Sequence, residues 1–178
     1  SQYISPTNLE QNRLIAMQFF VRNGFAPEVA AAIVGNFQAE SNINPGIPSA
    51  VPGENSYGIA QWNAAAAAGN RLGKLKKFAN NEGKDYTDLF TQLEYTIHEL
   101  RGKQLNNDGG GDFSHVYSQL RRCTTFEGGV DDLNATWVFL SEYEIPAQMR
   151  SKLNTREQYA RIAFEQFSSA VAVESAGK

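Results

Sequence analysis

Apolar residues spaced three and four apart recur along most of the chain, a period that suits amphipathic helices and leaves little room for strands. Leu14, Ile15, Phe19 and Val21 form a first stripe, and Val29, Ala30, Ile33, Val34 and Phe37 a second. Ser5-Pro6-Thr7-Asn8-Leu9-Glu10 reads as the start of the first helix, because proline tolerates an opening turn and Thr7 with Glu10 has capping-box spacing. Gly24 stops that helix and Phe25-Ala26-Pro27-Glu28 starts the next, so the two are expected as an antiparallel pair. Further helices are predicted at about Arg71 to Asn81, Asp85 to Arg101, Phe113 to Cys123, Gly129 to Glu142 and Thr155 to Phe167. The alanine run Ala64 to Ala68 also reads as helix. Only Ile47 to Ile59 has room for a short hairpin. The fold class expected is mainly α, with a small β-hairpin or loop segment.

The 178 residues suit one domain with a core that needs no disulfide or metal staple. Residues 1–167 are expected to form it, and 168–178, where turn and core signals fade, a tail or a linker to a further region. Cys123 is the only cysteine, which rules out an internal disulfide and a cysteine-based zinc site. A formal charge of -3 without a basic stripe argues against nucleic acid as a partner. No apolar run approaches the roughly 18 residues of a membrane span, so no membrane insertion is expected. Asn106-Asn107-Asp108-Gly109-Gly110-Gly111-Asp112 predicts a surface loop; it lacks the ligand alternation and closing glutamate of a calcium loop. His98 and His115 have no third ligand at a useful spacing, so neither a metal nor another cofactor is expected.

Chemistry concentrates around Gly35-Asn36-Phe37-Gln38-Ala39-Glu40-Ser41. Glu40 follows Ile33 by seven residues and Phe37 by three, so it continues the core-facing stripe if the helix persists. Desolvation there would raise its pKa and keep it protonated near neutrality, the state a proton donor in glycoside cleavage needs. The alternative is a solvated acid where the helix frays. Downstream, Ser56-Tyr57-Gly58-Ile59-Ala60-Gln61-Trp62 combines a glycine for close backbone approach, an amide with donor and acceptor, and two aromatic faces on which sugar rings can stack. The same residues also suit an ordinary hairpin whose Tyr57 and Trp62 pack on the helices.

Glu40-Ser41 followed by Ser56-Tyr57-Gly58-Ile59-Ala60-Gln61-Trp62 resembles the catalytic-helix and glycine-glutamine motifs of goose-type lysozymes and soluble lytic transglycosylases. With Gln92-Leu93-Glu94-Tyr95-Thr96-Ile97-His98-Glu99-Leu100 and Phe139-Leu140-Ser141-Glu142-Tyr143-Glu144-Ile145-Pro146-Ala147, the chain is more similar to the phage tail lysozyme family, over roughly Leu14 to Ala163. The resemblance implies a lysozyme-like single domain that cuts the β-1,4 bond between N-acetylmuramic acid and N-acetylglucosamine in peptidoglycan. It would be carried on a virion, as a phage tail or internal component beside other virion proteins, and act in the bacterial periplasm or cell wall. By the same resemblance Glu40 is the general acid and then the base. Ser41, Ser56, Tyr57, Gln61 and Trp62 belong to the substrate-binding set, and Tyr143 either joins them or lies in the core.

Glu54 stands in the loop where goose-type enzymes carry an acid, and Asn63 where they carry an aspartate shortly after the glutamine. Glu54 is therefore the candidate second carboxylate. A separation of about 6.5 to 9.5 Å from Glu40 would suit inversion, and about 5 to 5.5 Å retention. Otherwise it is a solvated turn residue, leaving the single-acid lytic transglycosylase route. A non-catalytic wall-binding or structural tail module is the alternative from another class.

Overall fold

The computed structural model of the protein describes residues 8–102 and 112–177. Thr7 and most of the 106–112 loop lie outside the described residues. Helix α1 (Leu9–Arg22) is capped by Asn8, whose side chain accepts from the Gln11 N–H. Helix α2 (Pro27–Ser41) opens on proline and is apolar on every side, with Val29 through Gln38 all buried. A helix apolar all round belongs in the centre of a fold. Accordingly α2 packs against α1, against α6 (Ala135–Phe139) and most extensively against α7 (Met149–Ala176).

Between α2 and α3 (Arg71–Asn81) lie the strands β1 (Ser56–Tyr57) and β2 (Trp62–Asn63), antiparallel with Ser56 opposite Asn63 and Tyr57 opposite Trp62. The hairpin therefore begins within the 47–59 stretch and closes beyond it at Trp62–Asn63, with Pro48 bridging to Tyr57. The alanine run closes into a 3-10 turn at Ala66–Ala68. Helix α3 and helix α4 (Leu89–Arg101) begin at Asn70 and Asp88, each capping its first turn through its side chain. Helix α5 (Ser114–Leu120) precedes α6.

The helix expected from Gly129 starts only at Ala135. Gly128 and Gly129 both have positive φ, and Asp131 turns the chain by accepting from the Leu133 N–H before Asn134 caps the helix. α6 then widens into a π-helical turn, Leu140–Glu144, which ends at Ile145. Residues 168–176 continue α7 as mostly exposed helix rather than leaving it. These elements form the mainly α domain with one small hairpin that the spacing predicts.

Gly35 lets α2 and α7 meet. A methyl group there would lie 2.6 Å from the Ala160 amide nitrogen and 2.7 Å from the Arg156 carbonyl oxygen. Alanine gains about 1 kcal/mol of helix propensity over glycine, but backbone atoms cannot swing aside as a side-chain tip would. Overpacking wins: Gly35→Ala is expected to destabilise by about 1–3 kcal/mol. Urea unfolding checks this, and an unchanged midpoint would contradict the close approach.

Candidate active site

Glu40 lies in the last turn of α2, whose exit is unusual. Asn42 and Ile43 both take left-handed conformations, φ 53° each, and a β-branched residue adopts that region only when its surroundings hold it there. The surroundings are visible: Ile43 is fully buried, and its carbonyl accepts from the Asn12 side-chain amide at 2.9 Å. Ser41 fixes the other side, its hydroxyl lying 3.0 Å from the Phe37 carbonyl and 2.8 Å from that of Ile59. The end of the acid-bearing helix is thereby tied to the β1–β2 turn. Ser41 is buried and Ser56 lies buried in β1, so both are placed as parts of the frame.

The β1–β2 turn is held from within and from behind. Gln61 has φ 56° and donates through Nε2 to the carbonyls of Gly58 and Ile47. From α4, Gln92 accepts from the Ile59 N–H and donates to the carbonyls of Pro45 and Tyr86, each at 2.9 Å. Gly58 has φ 85°, and a side chain there would collide with the Gln92 amide at 2.8 Å. Tyr57 is half-buried against the Tyr86 ring. Gln61 and Tyr57 keep some exposure, and so remain available at the surface.

Trp62 and Tyr143 were candidates for a sugar-binding surface, yet they are 1% and 0% exposed. Both rings turn inward because a buried carboxylate, Glu99 of α4, satisfies their polar ends. The indole N–H donates to Glu99 Oε1 at 3.0 Å, and the Tyr143 hydroxyl lies 2.5 Å from the same oxygen. Arg71 closes the cluster with a fork onto both Glu99 oxygens, at 2.9 Å each. Burial alone would lower the pKa of Arg71, but the Glu99 charge and hydrogen bonds prevail and raise it. Tyr143 is raised by its burial and then by the Glu99 charge, so its hydroxyl stays neutral.

Glu54 is exposed and accepts from the Ser49 hydroxyl. It lines an open depression of about 610 Å³ with Pro52, Gly53, Asn55, Asn63, Ala64 and Ala65, a set that does not include Glu40.

Glu40 has a different carboxyl for company. Its Oε2 accepts from Arg156 Nη2 of α7 at 2.8 Å, while Nη1 of the same guanidinium donates to Asn36 Oδ1 at 2.9 Å. The Glu40 side chain is 16% exposed, so it is seated from behind and still reaches solvent. Glu144, at the end of the π-helical turn, has its Oε2 buried with no hydrogen-bond partner among the described residues. Burial pushes the Glu144 carboxyl well above the usual carboxylate range, and the charge of Glu40 adds to this against the opposing pull of Arg156 and Arg71. Arg71 and Arg156 lie outside the sequence motifs, and Asn36, Gln92, Glu99 and Glu144 lie within them without being singled out as site residues. Their signal is placement: Arg156 lies three residues after Leu153 and four before Ala160, both buried.

A mainly α domain with an acid at the end of its central helix, tied to a small glycine-glutamine hairpin, is the arrangement of lysozyme-like proteins. The chain belongs to the phage tail lysozyme family, which matches residues 11–167. Among characterised proteins it is similar to morphogenesis protein 1 of Bacillus phage B103, with 24% identity over 151 residues. That alignment covers 82% of this chain and 36% of the relative, so the chain spans about a third of that protein's length.

Proposed function

We propose that this chain is a peptidoglycan-degrading glycosidase domain of a phage tail or internal virion protein. Its bond would be the β-1,4 linkage from N-acetylmuramic acid to N-acetylglucosamine, cut in the bacterial periplasm or cell wall during entry. The observation that carries this reading is Glu40, anchored on one oxygen by Arg156 and partly open to solvent at the end of a helix fixed to the β1–β2 turn. Glu40 hands a proton to the leaving oxygen as positive charge develops at the anomeric carbon, then draws one from the attacking group. Exposed parts of Gln61 and Tyr57 border the chain of sugars, while Ser41, Ser56, Trp62 and Tyr143 keep the frame in place. Partners would be peptidoglycan and other tail components, in line with the morphogenesis protein it resembles.

Glu54 remains the candidate for activating water. A lytic transglycosylase is the second reading, favoured by the place of Glu54 in an exposed turn bonded to Ser49 and by Asn63 standing beside it on the depression. In that route a hydroxyl of the substrate replaces water and one acid suffices.

One experiment tests the activity and divides the routes. The purified chain is expected to clear a peptidoglycan suspension, and mass spectrometry of the fragments reads the chemistry. Hydrolysis yields reducing ends, whereas transglycosylation yields anhydro ends lighter by one water. Binding without released muropeptides would sink the enzyme reading and leave a wall-binding tail module.

A further inference from the structure

Asn36 and Glu40 stand four residues apart on α2, so their side chains rise from one face, a helical turn from each other. That spacing suits the fork of a single guanidinium, and Arg156 of α7 supplies it. Its Nη1 donates to Asn36 Oδ1 at 2.9 Å and its Nη2 to Glu40 Oε2 at 2.8 Å. Arg156 reaches both because α7 lies against α2 at Gly35, the residue before Asn36, where a methyl group would stand 2.7 Å from the Arg156 carbonyl oxygen.

Asn36 is fully buried and cannot turn its amide over. Its Nδ2 donates to the carbonyls of Ala32 at 2.9 Å and Thr136 at 3.4 Å, two acceptors that a reversed amide would meet with an oxygen, so Oδ1 must face Arg156. A line of hydrogen bonds thus runs from α6 through Asn36 and Arg156 and ends on one oxygen of Glu40. The other oxygen, Oε1, takes no hydrogen bond from the described residues.

Holding α7 on α2 does not require this charge. Arg156 is buried, and its Nε has no hydrogen-bond partner among the described residues. A buried guanidinium with an unmatched donor is a poor clamp, and an apolar side chain of similar volume often stabilises as well. What arginine alone supplies is a rigid planar fork that fixes one carboxyl against one amide.

We infer that Arg156 and Asn36 are positioning residues that hold Oε2 of Glu40 and so present Oε1 as the oxygen that carries the proton to the glycosidic bond. This rests on the glycosidase reading of Glu40. As the bond from the anomeric carbon to the leaving oxygen breaks, the proton passes from Oε1 to that oxygen. The negative charge left on the carboxyl is met at Oε2 by a guanidinium already in place. The attacking hydroxyl, of water or of the sugar, forms its bond to the anomeric carbon and returns its proton to Oε1. Orientation matters here, because a misplacement of about 1 Å can lower a rate about 10²-fold.

Arg156→Met and Arg156→Lys test this on soluble glycan strands of peptidoglycan. Each is expected to lower kcat by about 10–100-fold per folded molecule, with folding read by circular dichroism and KM changed by less than about twofold. Lysine keeps the charge without the fork, so it should not restore the rate. In a Glu40→Gln background Arg156→Met should lower the residual rate no further, since a residue that acts through another has no effect once that other is gone. A merely structural role gives losses that multiply. Wild-type kcat in Arg156→Lys, or multiplied losses in the double variant, would overturn the inference, and Arg156→Lys decides it if Arg156→Met does not fold.

Nitrogen-15 NMR of the wild-type chain reads the fork without substrate. Separate Nη signals for Arg156 are expected from a guanidinium held on both arms, and averaged signals would also overturn the inference. A wild-type chain that does not cleave peptidoglycan refutes the glycosidase reading instead, while the NMR still reports whether Arg156 is held.

Discussion

Replacing Glu40 by glutamine is expected to lower the rate of muropeptide release by about 10²–10⁴-fold at every pH, the range over which a general acid contributes. The fold should survive, and the reason lies in the contacts. Glutamine keeps a carbonyl oxygen where Glu40 Oε2 accepts from Arg156, and Arg156 also keeps its bond to Asn36. The Ser41 and Ile43 contacts that hold the helix exit do not involve the carboxyl at all. An unchanged circular dichroism spectrum with lost clearing is therefore the expected pair of results. Retention of more than about a tenth of wild-type activity would place the proton donor elsewhere.

Much of this architecture was legible in residue order, because local signals govern it. The apolar stripe of α2 marks a buried face and Arg71–Asn81 is helical over the predicted span, whereas the stripe of α1 is only half-buried and its innermost face is Asn12, Ala16, Met17 and Phe20. The place of Glu40 in the last turn of α2 was legible for the same reason, since it continues the stripe of that helix. The partners of Glu40 were not, since Arg156 is 116 residues away and only the packing of α2 on α7 brings them together. Trp62 shows the converse error. An aromatic residue after a glycine-glutamine turn reads as a stacking platform, but its fate depends on Glu99, which is 37 residues distant and looks like one more charged position on a helix. Glu54 was conspicuous because it is in a loop. Glu144 was inconspicuous because a π-helical turn shifts which side of the helix faces inward, and an ideal helical wheel does not include that shift.

The largest effect on stability is expected at Glu99. This fully buried carboxylate is the common acceptor for Arg71, Trp62 and Tyr143, and these come from α3, β2 and the turn after α6. Glu99→Ala would leave a guanidinium that packs 4.2 Å above the Phe113 ring and 4.5 Å above the Tyr143 ring without its counter-charge. Breaking one side of a buried pair costs about 3–5 kcal/mol, because the stranded charge has lost its compensation. The indole N–H and the tyrosine hydroxyl lose their acceptor as well, each about 1–3 kcal/mol if water does not enter. Arg71 keeps its bond to the Tyr143 carbonyl, and this limits the loss. A fall in Tm of about 10 °C or more follows for a chain of this size. Arg71→Met combined with Glu99→Leu removes both charges and should recover part of the loss, because an apolar replacement of a buried pair is often nearly neutral. If the double variant is no more stable than Glu99→Ala, the ion pair is not what holds these elements together. The consequence reaches the chemistry, because Trp62 follows Gln61 directly and Tyr143 precedes Glu144. Glu99→Ala is thus expected to lower clearing activity even at temperatures where the chain remains folded, and Glu99→Gln, which keeps an acceptor, to lower it less.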